Sequence, residues 1–164
     1  MTASKNLSLP LDREELKTLR AGDACLLSGE MFMLRDAGHI RLVAELEEQG
    51  SLPYGLEGAT IFYAGPSPAA AGRPFAAPRL HRAGVVATIG KGVRSAEVIR
   101  ACQETGSVYF VATGGAAALL AQCVIAGQVV DYEDLGTEAL RRIEVRDLPV
   151  FVGIDIQGDC IYDR

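Results

Sequence analysis

From residue 85 onward the chain repeats one pattern that leaves few folds open. A short β-branched run is followed by a glycine turn and then by a helix-forming stretch. Residues 85–89 predict a strand, Gly90-Lys91-Gly92 a tight turn, and Ser95 the cap of a helix to about residue 104, closed by Gly106. Residues 108–112 predict the next strand, Gly114-Gly115 a turn, and residues 116–126 a helix rich in Ala and Leu. Further strands are expected at 129–132, 141–145 and 150–156. Strands alternating with helices imply an α/β fold with a mostly parallel central sheet and flanking helices.

The first half fits the same scheme. Residues 1–10 read as a polar arm or lead-in strand, and residues 11–19 as a short helix with acidic residues in its first turn. Residues 24–34 predict a strand and residues 36–48 a helix, with Ile40, Leu42, Val43 and Leu46 available for its buried side. Residues 60–64 predict a buried strand halted at Gly65-Pro66. Residues 65–78 hold four prolines in fourteen positions, which predicts a loop. The expected organisation is an N-terminal arm and short helix over 1–21, then a single domain over 22–164.

Composition narrows the function. Sixteen Lys and Arg against twenty-one Asp and Glu give a net charge of −5, with no basic cluster beyond pairs such as Arg141-Arg142. That argues against a nucleic-acid partner. The four cysteines, Cys25, Cys102, Cys123 and Cys160, form no Cys-x-x-Cys pair, so zinc-ribbon and ferredoxin spacings are absent. The chain shows no signal-peptide pattern and no apolar run of membrane-spanning length. The expectation is a cytoplasmic protein with reduced thiols and no membrane association.

Chemistry concentrates where strands end. The strand at 24–34 runs into Arg35-Asp36-Ala37-Gly38-His39-Ile40-Arg41-Leu42. A guanidinium at the mouth of a helix N-terminus suits a carboxylate, because its planar fork bonds both oxygens. The turns at Gly65-Pro66, Gly90-Lys91-Gly92 and Gly114-Gly115 also follow strands, and strand C-termini form the ligand edge of an open α/β sheet. Lys91 between two glycines suits an anion, although an ordinary turn with a solvated lysine is the commoner reading. The amides of Gly114-Gly115 serve equally for anion binding or for close helix–sheet packing. Asp36 and His39 are candidates for proton transfer, with a helix cap and a structural histidine as the plainer alternatives. Arg41 reads as solvated or ion-paired.

Taken in register, these segments resemble the β subunit of the class I fumarase and L-tartrate dehydratase family. The carriers are Leu27-Ser28-Gly29, the segment from Arg35 to Leu42, Leu52-Pro53-Tyr54, and Tyr63-Ala64-Gly65-Pro66. They continue with Ile89-Gly90-Lys91-Gly92, the segment from Gly114 to Ala121, and Tyr132-Glu133-Asp134-Leu135-Gly136. The resemblance implies a swivelling β/β/α domain and a hydro-lyase that reversibly dehydrates a 2-hydroxy dicarboxylate such as malate or tartrate. It implies a [4Fe–4S] cluster carried by a partner α subunit and none bound by this chain. The assembly would be a hetero-oligomer, or a homodimer in isolation.

By motif match Arg35 corresponds to a family carboxylate-binding arginine and Lys91 to an active-site lysine, with Gly90 and Gly114 at the same site. The family segment Gly-Pro-Thr-Thr-x-x-Arg-Met-Asp is shortened here. One alignment deletes it, while another puts Gly72-Arg73 in the place of x-Arg and Ala69 in that of the threonine. Arg73 is then a weaker ligand candidate and Ser67, the nearest hydroxyl, a stand-in for the base. The missing threonine also motivates an alternative: a non-catalytic binding or assembly subunit of the same fold.

Overall fold

A computed structural model describes residues 3–63, 76–92, 94–112 and 116–163. Seven strands form one sheet: β1 (Lys5–Leu9), β2 (Ala24–Leu34), β3 (Thr60–Tyr63), β4 (Ala87–Gly90), β5 (Val108–Val111), β6 (Val124–Asp131) and β7 (Leu140–Ile154). The helices are α1 (Arg13–Leu16), α2 (Asp36–Gln49), α3 (Ala76–Ala83), α4 (Ala96–Thr105) and α5 (Ala116–Cys123), with 3₁₀ segments at Glu133–Glu138 and Ile161–Asp163.

The expectation of a mostly parallel central sheet needs correction. Strands β2, β3, β4 and β5 pair in parallel, and β1 joins the first half of β2. Strand β7 then runs antiparallel to both β5 and β2, closing these five strands into a barrel, and β6 lies on its remaining edge. The fold is α/β with a mixed sheet. Residues 141–145 and 150–156 are expected as two strands. They belong to one strand with a bulge: Arg146 and Asp147 stand opposite Ser28 alone, between the pairs Leu27↔Leu148 and Gly29↔Val145. The Asp147 amide donates to the Ser28 hydroxyl at 2.9 Å.

The extra residue switches which positions of β7 face inward. Ile143 and Val145 line the barrel before it, and Leu148, Val150 and Val152 line it after. They meet Leu27 and Met31 of β2, Phe62 of β3, Ala87 and Ile89 of β4, and Val108 and Phe110 of β5. The outward residues Phe32, Leu34 and Ile61 pack with Leu42 of α2 and Leu80 of α3. Tyr109, Val111 and Ile154 pack with Val98 and Cys102 of α4.

Two further boundaries differ from expectation. The helix at 116–126 stops at Cys123, since β-branched Val124 and Ile125 open β6, whose first pair is Val124↔Val145. The end of the expected loop at 65–78 is already helical from Ala76, and Pro78 is tolerated because a helix's first turn has no intrahelical donor to lose. Helices α2 and α4 end on Gly50 and Gly106, both left-handed, as glycine allows.

A buried carboxylate ties the chain's two ends together. Asp155 accepts from the amides of Ala21 at 3.0 Å, Gln157 at 2.9 Å and Asp159 at 3.1 Å. Asp155→Ala strands these donors, and we expect it to cost about 2–4 kcal/mol. Urea denaturation measures this, and a loss below about 1 kcal/mol contradicts the assigned role.

Candidate functional site

Parallel strands finish together, and here they finish in register. Leu34 of β2 pairs with Tyr63 of β3, Phe62 with Ile89 of β4, and Gly90 with Val111 of β5. The segments after these residues therefore leave from one rim of the barrel. Arg35 and Lys91 follow strands two places apart, an origin-to-origin spacing of about 10 Å at ordinary strand separation.

Arg35 is half-buried and takes the N-cap position of α2 with extended backbone (φ −112°, ψ −176°). This corrects the helix-cap reading of Asp36, which is the first helical residue. The Ala37 amide of that first turn donates to the Glu138 carboxylate at 3.2 Å. Gly38 is required here, because a Cβ would fall 2.7 Å from the Glu138 carbonyl and 2.4 Å from Leu34 Cδ1. Arg41 is ion-paired, with two bonds of 2.7 Å to Asp134, and stacks over Tyr132 at 5.2 Å.

Lys91 is exposed on the turn after β4. Gly90 beneath it is buried, and the space of its absent Cβ is taken by the Arg94 guanidinium. Arg94 also lies over the Tyr109 ring at 4.8 Å, and the Tyr109 hydroxyl donates to the Gly92 carbonyl at 3.0 Å. His39 is buried one turn into α2. Burial, then the Arg94 charge, holds its pKa down at about 3, against a backbone hydrogen bond to Leu34. His39 is thus a neutral imidazole within the field of Arg94. Of the other predicted site residues, Ser67, Arg73 and Gly114 lie outside the described residues.

Sequence reasoning missed Arg94 and Glu138. Arg94 stands immediately before the Ser95 N-cap and four residues after Gly90, a position that invites a side chain to fold back over the turn. For Glu138 the sequence holds no local signal, since its partner is 101 residues away.

The described residues do not fit an iron–sulfur cluster. No group of three or more His, Cys, Asp or Glu among them is placed to hold a metal. Cys25, Cys102 and Cys160 are buried, and burial pushes the Cys25 and Cys102 thiols up to about 11 and 12, away from the thiolate that ligation needs. No helix among the described residues is long and apolar enough to cross a membrane.

Known proteins resemble this chain along most of its length. The sequence profile of the family described as Fumarase C-terminus matches residues 2–164. Fumarate hydratase 1, mitochondrial, of Leishmania major is 32% identical over 176 residues, covering 97% of this chain and 32% of that protein. Fumarate hydratase class I, aerobic, of Escherichia coli K12 is 32% identical over 153 residues, covering 84% and 28%. A Methanocaldococcus jannaschii protein provisionally named L(+)-tartrate dehydratase subunit beta is 29% identical over 173 residues, covering 94% and 89%. The chain thus spans about a third of the length of the fumarate hydratases it matches.

The histidines generate a pH prediction. His81, bonded to the Val85 carbonyl and Thr88 Oγ1 at 3.2 Å each, is held by burial at about 4, as His39 is at about 3. Unfolded histidines take up protons below about pH 6.5, so the unfolded chain binds more protons from there down to pH 4. The stability these neutral imidazoles contribute is complete above pH 6.5 and lost on acidification, by up to about 1.4 kcal/mol per pH unit for each. Urea melts between pH 8 and pH 5 should show it, and proton NMR should find both rings untitrated there. A ring titrating near 6.5 contradicts the assignment.

Proposed function

The chain belongs to the fumarase C-terminus family, and from that premise we propose that it supplies the carboxylate-binding part of a hydro-lyase site. It acts as the β subunit of a heteromer that reversibly dehydrates a 2-hydroxy dicarboxylate such as malate or tartrate. The observation that carries this reading is the common rim, from which Arg35 and Lys91 both depart. A guanidinium and an ammonium are the complement of a dianion, and each charge-assisted bond contributes about 1.5–3 kcal/mol.

Dehydration removes a proton from the carbon next to a carboxylate and hydroxide from the carbon beyond. As the proton leaves, negative charge moves onto the carboxylate oxygens. Cations fixed there stabilise that charge more than they stabilise the ground state. Neither Arg35 nor a protonated Lys91 accepts the proton, and Ser67 is the candidate for that role within this chain. Arg73, Gly90 and Gly114 complete the binding side. Since the described thiols gather no ligand set, the reading assigns the [4Fe–4S] cluster and its Lewis-acid chemistry to a partner α subunit. No step passes through this chain's cysteines.

The shortened proline-rich segment favours one second reading, a binding or assembly subunit that holds a dicarboxylate without turning it over. The test is co-expression with an α-type partner, cluster reconstitution, and assay of fumarate hydration and of malate and tartrate dehydration. Turnover is expected, with Arg35→Ala and Lys91→Ala each lowering kcat/KM about tenfold to a hundredfold. Unchanged turnover in both variants removes the site assignment. Calorimetric binding of dicarboxylates by the complex without turnover supports the second reading.

A further inference from the structure

We propose that Arg94 is a positioning residue whose guanidinium, packed on Tyr109 and over Gly90, sets the turn from which Lys91 reaches the substrate. The inference rests on the proposed role of Lys91 and adds to it the device that holds the lysine in place.

Lys91 sits between two glycines, the most permissive backbone available, and Gly92 is left-handed at φ 73°. Such a turn has no rigidity of its own, yet three contacts hold it. Arg94 fills the volume that a side chain at Gly90 would take. Arg94 stacks on Tyr109 at 4.8 Å, and Tyr109 returns a hydrogen bond of 3.0 Å to the Gly92 carbonyl. Tyr109 is itself only 1% exposed and is backed by Gly153, where a Cβ would lie 3.0 Å from its ring. The ring is therefore a fixed platform: Arg94 transmits that fixity to the Gly90 end of the turn, and the Tyr109 hydroxyl holds the Gly92 end. Arginine suits this task because its planar group stacks on an aromatic face, whereas an ammonium is a compact, strongly hydrated point charge.

A residue that acts through Lys91 has nothing to act on once Lys91 is gone. The experiment is a double-mutant cycle on the partner-completed, cluster-loaded enzyme, reading kcat and KM for malate dehydration. Lys91→Ala is expected to lower kcat/KM tenfold to a hundredfold. Arg94→Ala should lower it about tenfold, with most of the loss in KM, and Arg94→Lys should restore only part. The double variant should be no worse than Lys91→Ala to within about twofold.

Losses that multiply would overturn the inference, since Arg94 would then contribute independently, as would an Arg94→Ala enzyme equal to the parent. If Lys91→Ala alone has no effect, the role proposed for Lys91 falls and this inference with it, and that outcome is distinct from multiplying losses. If Arg94→Ala does not fold, Tyr109→Phe removes only the hydroxyl bond to Gly92. Its effect should likewise vanish on the Lys91→Ala background, and persistence there contradicts the proposal.

Discussion

The antiparallel pairing of β2 with β7 is the interaction on which the rest of this structure depends. Four parallel strands in a row would leave a twisted sheet with an unsatisfied edge on each side. One fifteen-residue strand removes both edges of that row by reaching from β2 to β5. It has to present apolar side chains to the barrel interior along its whole course, and a regular strand would lose that phase between Val145 and Leu148. The bulge at Arg146 and Asp147 restores it, and the Ser28 hydroxyl satisfies a bulged amide. The neighbouring Gly29, at φ 129°, lets β1 come close, since a Cβ there would lie 2.5 Å from the Leu9 carbonyl. Leu27-Ser28-Gly29 is thus a closure motif, although it stands far from any chemistry.

Closure gives the barrel a defined rim, and that rim is where charge accumulates. The protein is acidic overall at −5, yet Arg35, Lys91 and Arg94 all come from its C-terminal strand ends. Local arrangement of charge outweighs net charge for a ligand the size of a dicarboxylate, because exposed charges beyond about 8–10 Å are screened at ordinary ionic strength. The neutral state of His39 belongs to the same economy. A charged imidazole there would be repelled by Arg94, and burial keeps the ring neutral.

Much of this was legible in the sequence, for reasons that differ by residue. Arg35, Gly90 and Lys91 are visible because strand ends and glycine turns are local patterns. The helix stops at Gly50 and Gly106 are equally local. Barrel closure was not legible, because residues 141–145 and 150–156 read as two strands and only the pairing with β2 shows the bulge at Arg146 and Asp147 that joins them. The end of α5 was missed because an Ala and Leu-rich helix passes without a glycine or proline into Val124 and Ile125. Arg94 stayed hidden because its meaning lies in Tyr109, which comes beside it only through the β4–β5 register. Ser67, Arg73 and Gly114 lie outside the described residues.

Helix α2 is moored far from its own neighbours in the chain. Its first turn is held by Glu138, its second by Asp134 through Arg41, and the loop beyond it by Tyr54, which bonds Asp131 and meets the Tyr132 ring edge-on at 6.3 Å. All of these anchors belong to the end of β6 and the connection into β7. The placement of α2, and with it of its N-cap Arg35, is therefore tied to the end of β6 and its connection into β7 rather than to the chain segments next to the helix.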